Sequence, residues 1–173
     1  LTLHAGIAGG ADIILIPEIP YDIKKICEAI DRRNKQKKGF TILAVAEGAI
    51  SRERAEMSKK DLKEYMKTYP YPAVSYEIAE QISEKIGTEV RVTVPGHTQR
   101  GGSPCPYDRV LSTRLGAAAA QAIVDGDYGY MIGIINGETT RVPLEKSAGK
   151  LKFVDPNSSI IKEAKMIGIS FGD

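Results

Sequence analysis

Two arginines and a histidine crowd a double-glycine bend in RVTVPGHTQRGGSPCPYD, residues 91–108. Arg91 and Arg100 supply cations, and His97, one of only two histidines in the chain, adds an imidazole. A guanidinium meets a phosphate through two parallel N–H donors, and an imidazole can add a third. Each charge-assisted hydrogen bond contributes about 1.5–3 kcal/mol net. The chemistry that suits such a group is capture of a phosphate dianion. A surface turn whose arginines face solvent has the same composition, and spacing alone leaves both readings open.

Such a bend needs firm elements on either side. EVRVTVP (89–95) alternates apolar and polar residues and reads as a strand. PYDRVLSTRLGAAAAQAIVDG reads as a long alanine-rich helix, with Ser103 as its cap, Pro104 in its first turn and Asp108 at the positive end of its dipole. In an open α/β sheet, ligands sit beyond the carboxyl ends of strands, where this bend would lie. Further buried strands are expected in ADIILIPE (11–18), FTILAVAE (40–47) and YMIGII, with TTRVPL as another. Helices are expected in YDIKKICEAIDRRNKQKKG, stopped by Gly39, in KKDLKEYMK, in AVSYEIAEQISEKIG, closed by Gly87, and in SSIIKEAKMIG. Strands alternating with helices predict an α/β fold, a mostly parallel sheet with helices on both faces.

The bulk properties narrow the function. At 42% hydrophobic and 27% charged, the 173 residues fall in the soluble globular range of a single ordinary domain. A net charge of +2 gives no general affinity for nucleic acid. No run approaches the roughly 20 apolar residues that span a bilayer. LTLHAGIAGG lacks the basic region of a signal peptide, and a start at Leu1 without Met is expected of a fragment or a processed product. Cys27 and Cys105 make no disulfide framework and no CxxC pair, so a reducing cytoplasm is the expectation.

Other phosphate loops are absent: there is no GxxxxGK[ST] and no GxGxxG. AGIAGGAD precedes a strand rather than following one, so it reads as a helix end whose small residues allow close packing. The basic run RRNKQKK reads as a solvated helix end, and a nucleic-acid role for it lacks interleaved aromatics. His4 falls in a helix and has no assigned task.

RVTVPGHTQRGGSPCPYDRVLSTRLG strongly resembles the hallmark of the 6-phosphofructokinase family, a strand leading into Gly-His-(Ile/Thr)-Gln-Arg-Gly-Gly-(Ser/Thr)-Pro and a helix, with Pro95 where leucine is common. LTLHAGIAGGADIILIPE is similar to the family segment after its Met-Gly-Arg motif, ILAVAEGA to the strand ending in a sugar-binding glutamate, and YMIGIINGETTRVPL to its closing strands. IGISFGD resembles a subgroup that includes pyrophosphate-dependent members. By position, the resemblance implies that His97 and Arg100 hold the 6-phosphate of fructose 6-phosphate. It implies that Arg91 reaches this phosphate from a neighbouring subunit, so a homo-oligomer, dimer or tetramer, is expected. Glu47 matches the glutamate that accepts hydrogen bonds from sugar hydroxyls; outside the family it would read as a capping or ion-paired residue. Glu18 and Lys38 match residues of an effector site, where Gln36 replaces a second lysine.

The resemblance also implies what the chain lacks. The GGDGS-type donor loop and the Thr-Ile-Asp-Asn-Asp motif with its catalytic aspartate have no counterpart. Residues 1–173 therefore read as one piece, the C-terminal fructose 6-phosphate portion, inactive alone. For the intact enzyme the implied reaction is in-line transfer from ATP or pyrophosphate, with Mg²⁺, to the 1-hydroxyl of fructose 6-phosphate. Two other readings stay open: a non-catalytic sugar-phosphate-binding half, and a structural domain that packs through its alanine-rich helix (116–122).

Overall fold

The computed structural model describes residues 1–173. In chain order the elements are α1 (Thr2–Ala8), β1 (Ile13–Leu15), α2 (Ile23–Lys35), β2 (Leu43–Val45), α3 (Arg52–Ala55), α4 (Lys59–Lys67), α5 (Val74–Ile86), α6 (Pro106–Val124), β3 (Tyr130–Ile135), β4 (Glu138–Pro143), α7 (Leu144–Ser147) and α8 (Ser159–Met166). A 3₁₀ turn, Gly96–Arg100, precedes α6. The chain forms two compact units: Leu1–Thr93 with Phe153–Asp173, and Val94–Lys152.

The first unit is built on β1. Its parallel partner is β2, in register Ile13↔Leu43, Ile14↔Ala44 and Leu15↔Val45. On the opposite edge Ser170 adds a parallel bridge to Ile13. Ile13, Ile14 and Leu15 are fully buried, each stabilising by about 1.5–3 kcal/mol relative to exposure. Alternation sends their side chains to opposite faces. Ile13 and Leu15 pack with Ile26, Cys27 and Ile30 of α2 and Val74, Ile78 and Ile82 of α5. Ile14 and Ile16 pack with Leu3 of α1 and Ile161 and Ala164 of α8. This is the α/β arrangement expected from the continuous run IILI, a parallel sheet with helices on both faces.

The second unit is of another kind. β3 and β4 pair antiparallel over six residues, from Tyr130↔Pro143 to Ile135↔Glu138. Asn136 (φ 51°) and Gly137 (φ 83°) connect them, and two successive positive φ angles make the type I′ turn that matches strand twist. Arg141 ties β4 to the end of α6 through Asp125 and Asp127. The hydrogen bond from Arg141, helped by one from Gln121, holds the Asp125 carboxyl below the usual range. Ala122 is the one buried residue of this unit.

Three local expectations are corrected. Residues 89–95 form no strand, because alternation marks a face but a strand exists only where another pairs with it. Helix α6 starts later than Ser103 and Pro104 suggest: Cys105 is its cap, Pro106 its first residue, and the Cys105 N–H donates to Asp108 Oδ2 at 3.2 Å. Helix α2 ends before Gly39. The Lys38 N–H reaches Arg33 O (3.1 Å) and the Lys37 N–H reaches Asn34 O (2.9 Å), with Lys37 left-handed at φ 58°. These two bonds already satisfy the last carbonyls.

Candidate functional site

His97 and Arg100 lie on the 3₁₀ turn. Gly96 (φ 54°) turns the chain into it, the Thr98 N–H closes on Pro95 O at 3.1 Å, and the Gly101 N–H closes on Thr98 O at 3.1 Å. Gly102 (φ 88°) then redirects the chain toward α6. A 3₁₀ helix has three residues per turn, so positions i and i+3 eclipse. His97 and Arg100 stand three apart, and the turn brings them to one side. Both are exposed, and neither makes a hydrogen bond or ion pair within the protein. An imidazole and a guanidinium thus stand exposed on one side of the turn without an acceptor of their own within the protein.

Glu47 stands in the first unit, just past the carboxyl end of β2. The Ala46 N–H donates to Leu15 O (2.9 Å) and the Ala49 N–H to Ala46 O (3.0 Å). Glu47 and Gly48 are therefore the central residues of a tight turn, and the carboxylate is exposed at its corner. Arg91 belongs to the same unit, exposed and paired to Glu89 at 2.9 Å. An exposed pair so close in sequence holds loosely and leaves the guanidinium available. The structure thus groups His97 with Arg100, and puts Glu47 and Arg91 in the other unit.

Glu18 is half-buried beyond β1. Its Oε1 accepts the Val154 N–H at 3.0 Å, which ties the returning segment to the sheet, and its Oε2 is buried without a partner. Lys38 is exposed after α2. No group of three or more His, Cys, Asp or Glu side chains is placed to hold a metal ion.

One cluster escapes the sequence reading. Arg54 and Glu77 are the buried charged residues of the protein, 8% and 5% exposed. The Arg54 guanidinium donates to Glu77 Oε1 and lies 5.4 Å from the ring centres of both Tyr65 and Tyr69. The Tyr69 hydroxyl donates to Glu77 Oε2 at 2.6 Å, and Gln81 Nε2 to Oε1 at 3.1 Å. Burial and the Glu77 bond push the Tyr69 phenol up to about 12, so it remains a donor. The one signal in the sequence is Glu77 itself, an acidic residue three positions after Val74 and one before Ile78 on the apolar stripe of α5.

The phosphofructokinase family model matches residues 1–123. The chain belongs to the phosphofructokinase family. Across all 173 residues it is 50% identical to an ATP-dependent 6-phosphofructokinase of Spirochaeta thermophila and 45% identical to one of Chloroflexus aurantiacus, covering 47% of each. The chain thus spans about half the length of these curated phosphofructokinase relatives. Among solved structures, the T-state phosphofructokinase of Pichia pastoris superposes with a TM-score of 0.60 at 32% identity, over 84% of this chain and 15% of that one.

Proposed function

We propose that this chain forms the sugar-phosphate side of a 6-phosphofructokinase. His97 and Arg100 hold the 6-phosphate of fructose 6-phosphate, Glu47 accepts hydrogen bonds from the sugar hydroxyls, and Arg91 serves the phosphate site of a neighbouring subunit. The observation that carries the reading is the exposed imidazole and guanidinium, without partners and three residues apart on the glycine-bounded turn, in a chain of this family. A phosphate dianion needs several donors at once, and a hydroxyl cluster needs a fixed acceptor.

The intact enzyme then passes the terminal phosphoryl of ATP to the 1-hydroxyl, giving fructose 1,6-bisphosphate in glycolysis. ATP is favoured over pyrophosphate by the names of the two relatives above. The role of this chain is positioning: it fixes the phosphate end, so that the opposite hydroxyl is presented to the donor. Mg²⁺ accompanies the donor. No group of three or more His, Cys, Asp or Glu side chains in this chain is placed to hold it. The task of Arg91 makes the working unit a homo-oligomer, at least a dimer. For an effector, this chain offers Lys38 and the free Oε2 of Glu18. No helix is long and apolar enough to cross a membrane, and a cytoplasmic enzyme is the reading that fits.

Titration calorimetry with fructose 6-phosphate tests the proposal. The chain is expected to bind in the micromolar range. Arg100→Ala is expected to weaken binding about 10–150-fold, the loss of one charge-assisted contact, at unchanged melting temperature. No binding by the folded, oligomeric chain, or full affinity in the variant, would overturn it and leave a structural domain. Turnover of ATP and fructose 6-phosphate is expected to be absent for the 173 residues alone.

A further inference from the structure

We propose that Arg54, Glu77 and Tyr69 are positioning residues for the turn that carries Glu47. This rests on the reading of Glu47 as a sugar ligand.

Helix α3 buries a single residue, Arg54, and α4 buries none. Neither helix is anchored to the core by apolar contact. Buried Ala49 anchors the start of the excursion in the core, and beyond it the segment up to α5 is secured by side-chain bonds: Arg54 and Tyr69 converge on the Glu77 carboxylate, and the Tyr71 hydroxyl donates to Glu80.

The bond between Arg54 and Glu77 is a buried ion pair. Removing two charges from water offsets most of their attraction, and apolar side chains of similar size commonly stabilise as much. Such a pair is a poor choice for stability alone. It differs from apolar contact in being directional. With Arg54, Tyr69 and Gln81 all donating to one carboxylate, and two rings flanking the guanidinium, α3 has one orientation on α5.

A short run of backbone bonds joins this network to Glu47. Upstream, the Ala46 N–H is held by Leu15 O. Downstream, Tyr21 brackets the chain: its N–H donates to Ile50 O (3.0 Å) and its O accepts the Arg52 N–H (2.9 Å). Two residues later comes Arg54. The turn is thus clamped between the β1–β2 ladder and the Glu77 network, and letting go of Arg54 frees α3 to swing about Ser51.

The experiment replaces both charges, Arg54→Met with Glu77→Leu, so that neither charge is left buried without its counter-ion. It reads backbone amide exchange residue by residue, melting temperature, and affinity for fructose 6-phosphate. The amides of Ala49, Arg52 and Tyr21 are expected to exchange about 2–30-fold faster, and affinity to fall by a similar factor, while the Ile14 amide and the melting temperature hold. Arg54→Lys, which keeps the charge, is expected to recover part of the loss. Unchanged exchange at the three amides, or an equal rise at Ile14, overturns the proposal. If the parent chain does not bind the sugar phosphate, the reading of Glu47 falls, and the exchange pattern still decides the network. Should the double variant fail to fold, Tyr69→Phe keeps the ring, removes one bond to Glu77, and is judged by the same three amides.

Discussion

Gly6 lies in the middle of α1, where glycine ordinarily weakens a helix. Its reason is outside the helix: a Cβ built there would stand 2.7 Å from Cδ1 of Ile14 and 3.1 Å from Cβ of Ala44. Helix α1 therefore rests on β1 and β2 with nothing between them. Gly6→Val is expected to destabilise the protein by about 1–3 kcal/mol, read as a lowered denaturant midpoint, because fully buried Ile14 cannot yield the space. That small residues in AGIAGGAD permit close packing was legible in the sequence. His97 and Arg100 drew attention by residue type, but spacing alone left a solvent-facing turn as good a reading, and their role came only with the resemblance to the family. The tie between Arg54 and Glu77 was not legible. The two residues are 23 apart in sequence, and no local pattern distinguishes a buried arginine in SRERAE from its solvated neighbours.

Helix ends tell a similar story one level up. Helices α1, α6 and α8 close with the same pair of backbone bonds as α2, such as Ala11 N–H to Gly6 O and Gly10 N–H to Ile7 O in α1. In those three the left-handed residue is Gly10, Gly126 or Gly168; in α2 it is Lys37. A side chain in that conformation costs about 1–2 kcal/mol, part of which glycine returns as entropy lost on folding. Lys37→Gly is expected to raise the melting temperature, with a gain of up to about 1 kcal/mol. The apolar spacing of α2 and α5 located both helices well, since Ile26, Ile30, Ile78 and Ile82 all face the core. The end of α2 was misplaced because glycine is the usual signal and lysine took its role. Residues 89–95 were misread for a different reason: pairing depends on a partner, which periodicity does not encode. The Asn136–Gly137 turn between two apolar runs was a hairpin signal that the alternation of strands and helices obscured.

At the scale of the whole molecule, the first unit is discontinuous in sequence. Its sheet and one of its two apolar faces are completed by Ile161, Ala164, Ile169, Ser170 and Phe171, after the chain has built the second unit. Phe171 is fully buried. Phe171→Ala is expected to cost about 3–5 kcal/mol in equilibrium unfolding of the first unit, far more than truncation of exposed Phe153. The α/β class was readable because IILI is too apolar for a half-solvated strand. The return of the chain was not, since SFGD carries no strand pattern and acquires its register from β1.

Ser170 beside β1 has a bearing on biosynthesis. On the ribosome, the growing polypeptide presents Leu3, Ile14 and Ile16 without their partners from α8 and residues 169–171, next to an open strand edge, until those residues emerge. At about 5–20 residues per second, the intervening stretch takes roughly 3–15 s to translate. Nascent chains are therefore most exposed to mispairing and to chaperone capture in that interval, and synonymous changes that slow elongation between codons 94 and 160 would lengthen it.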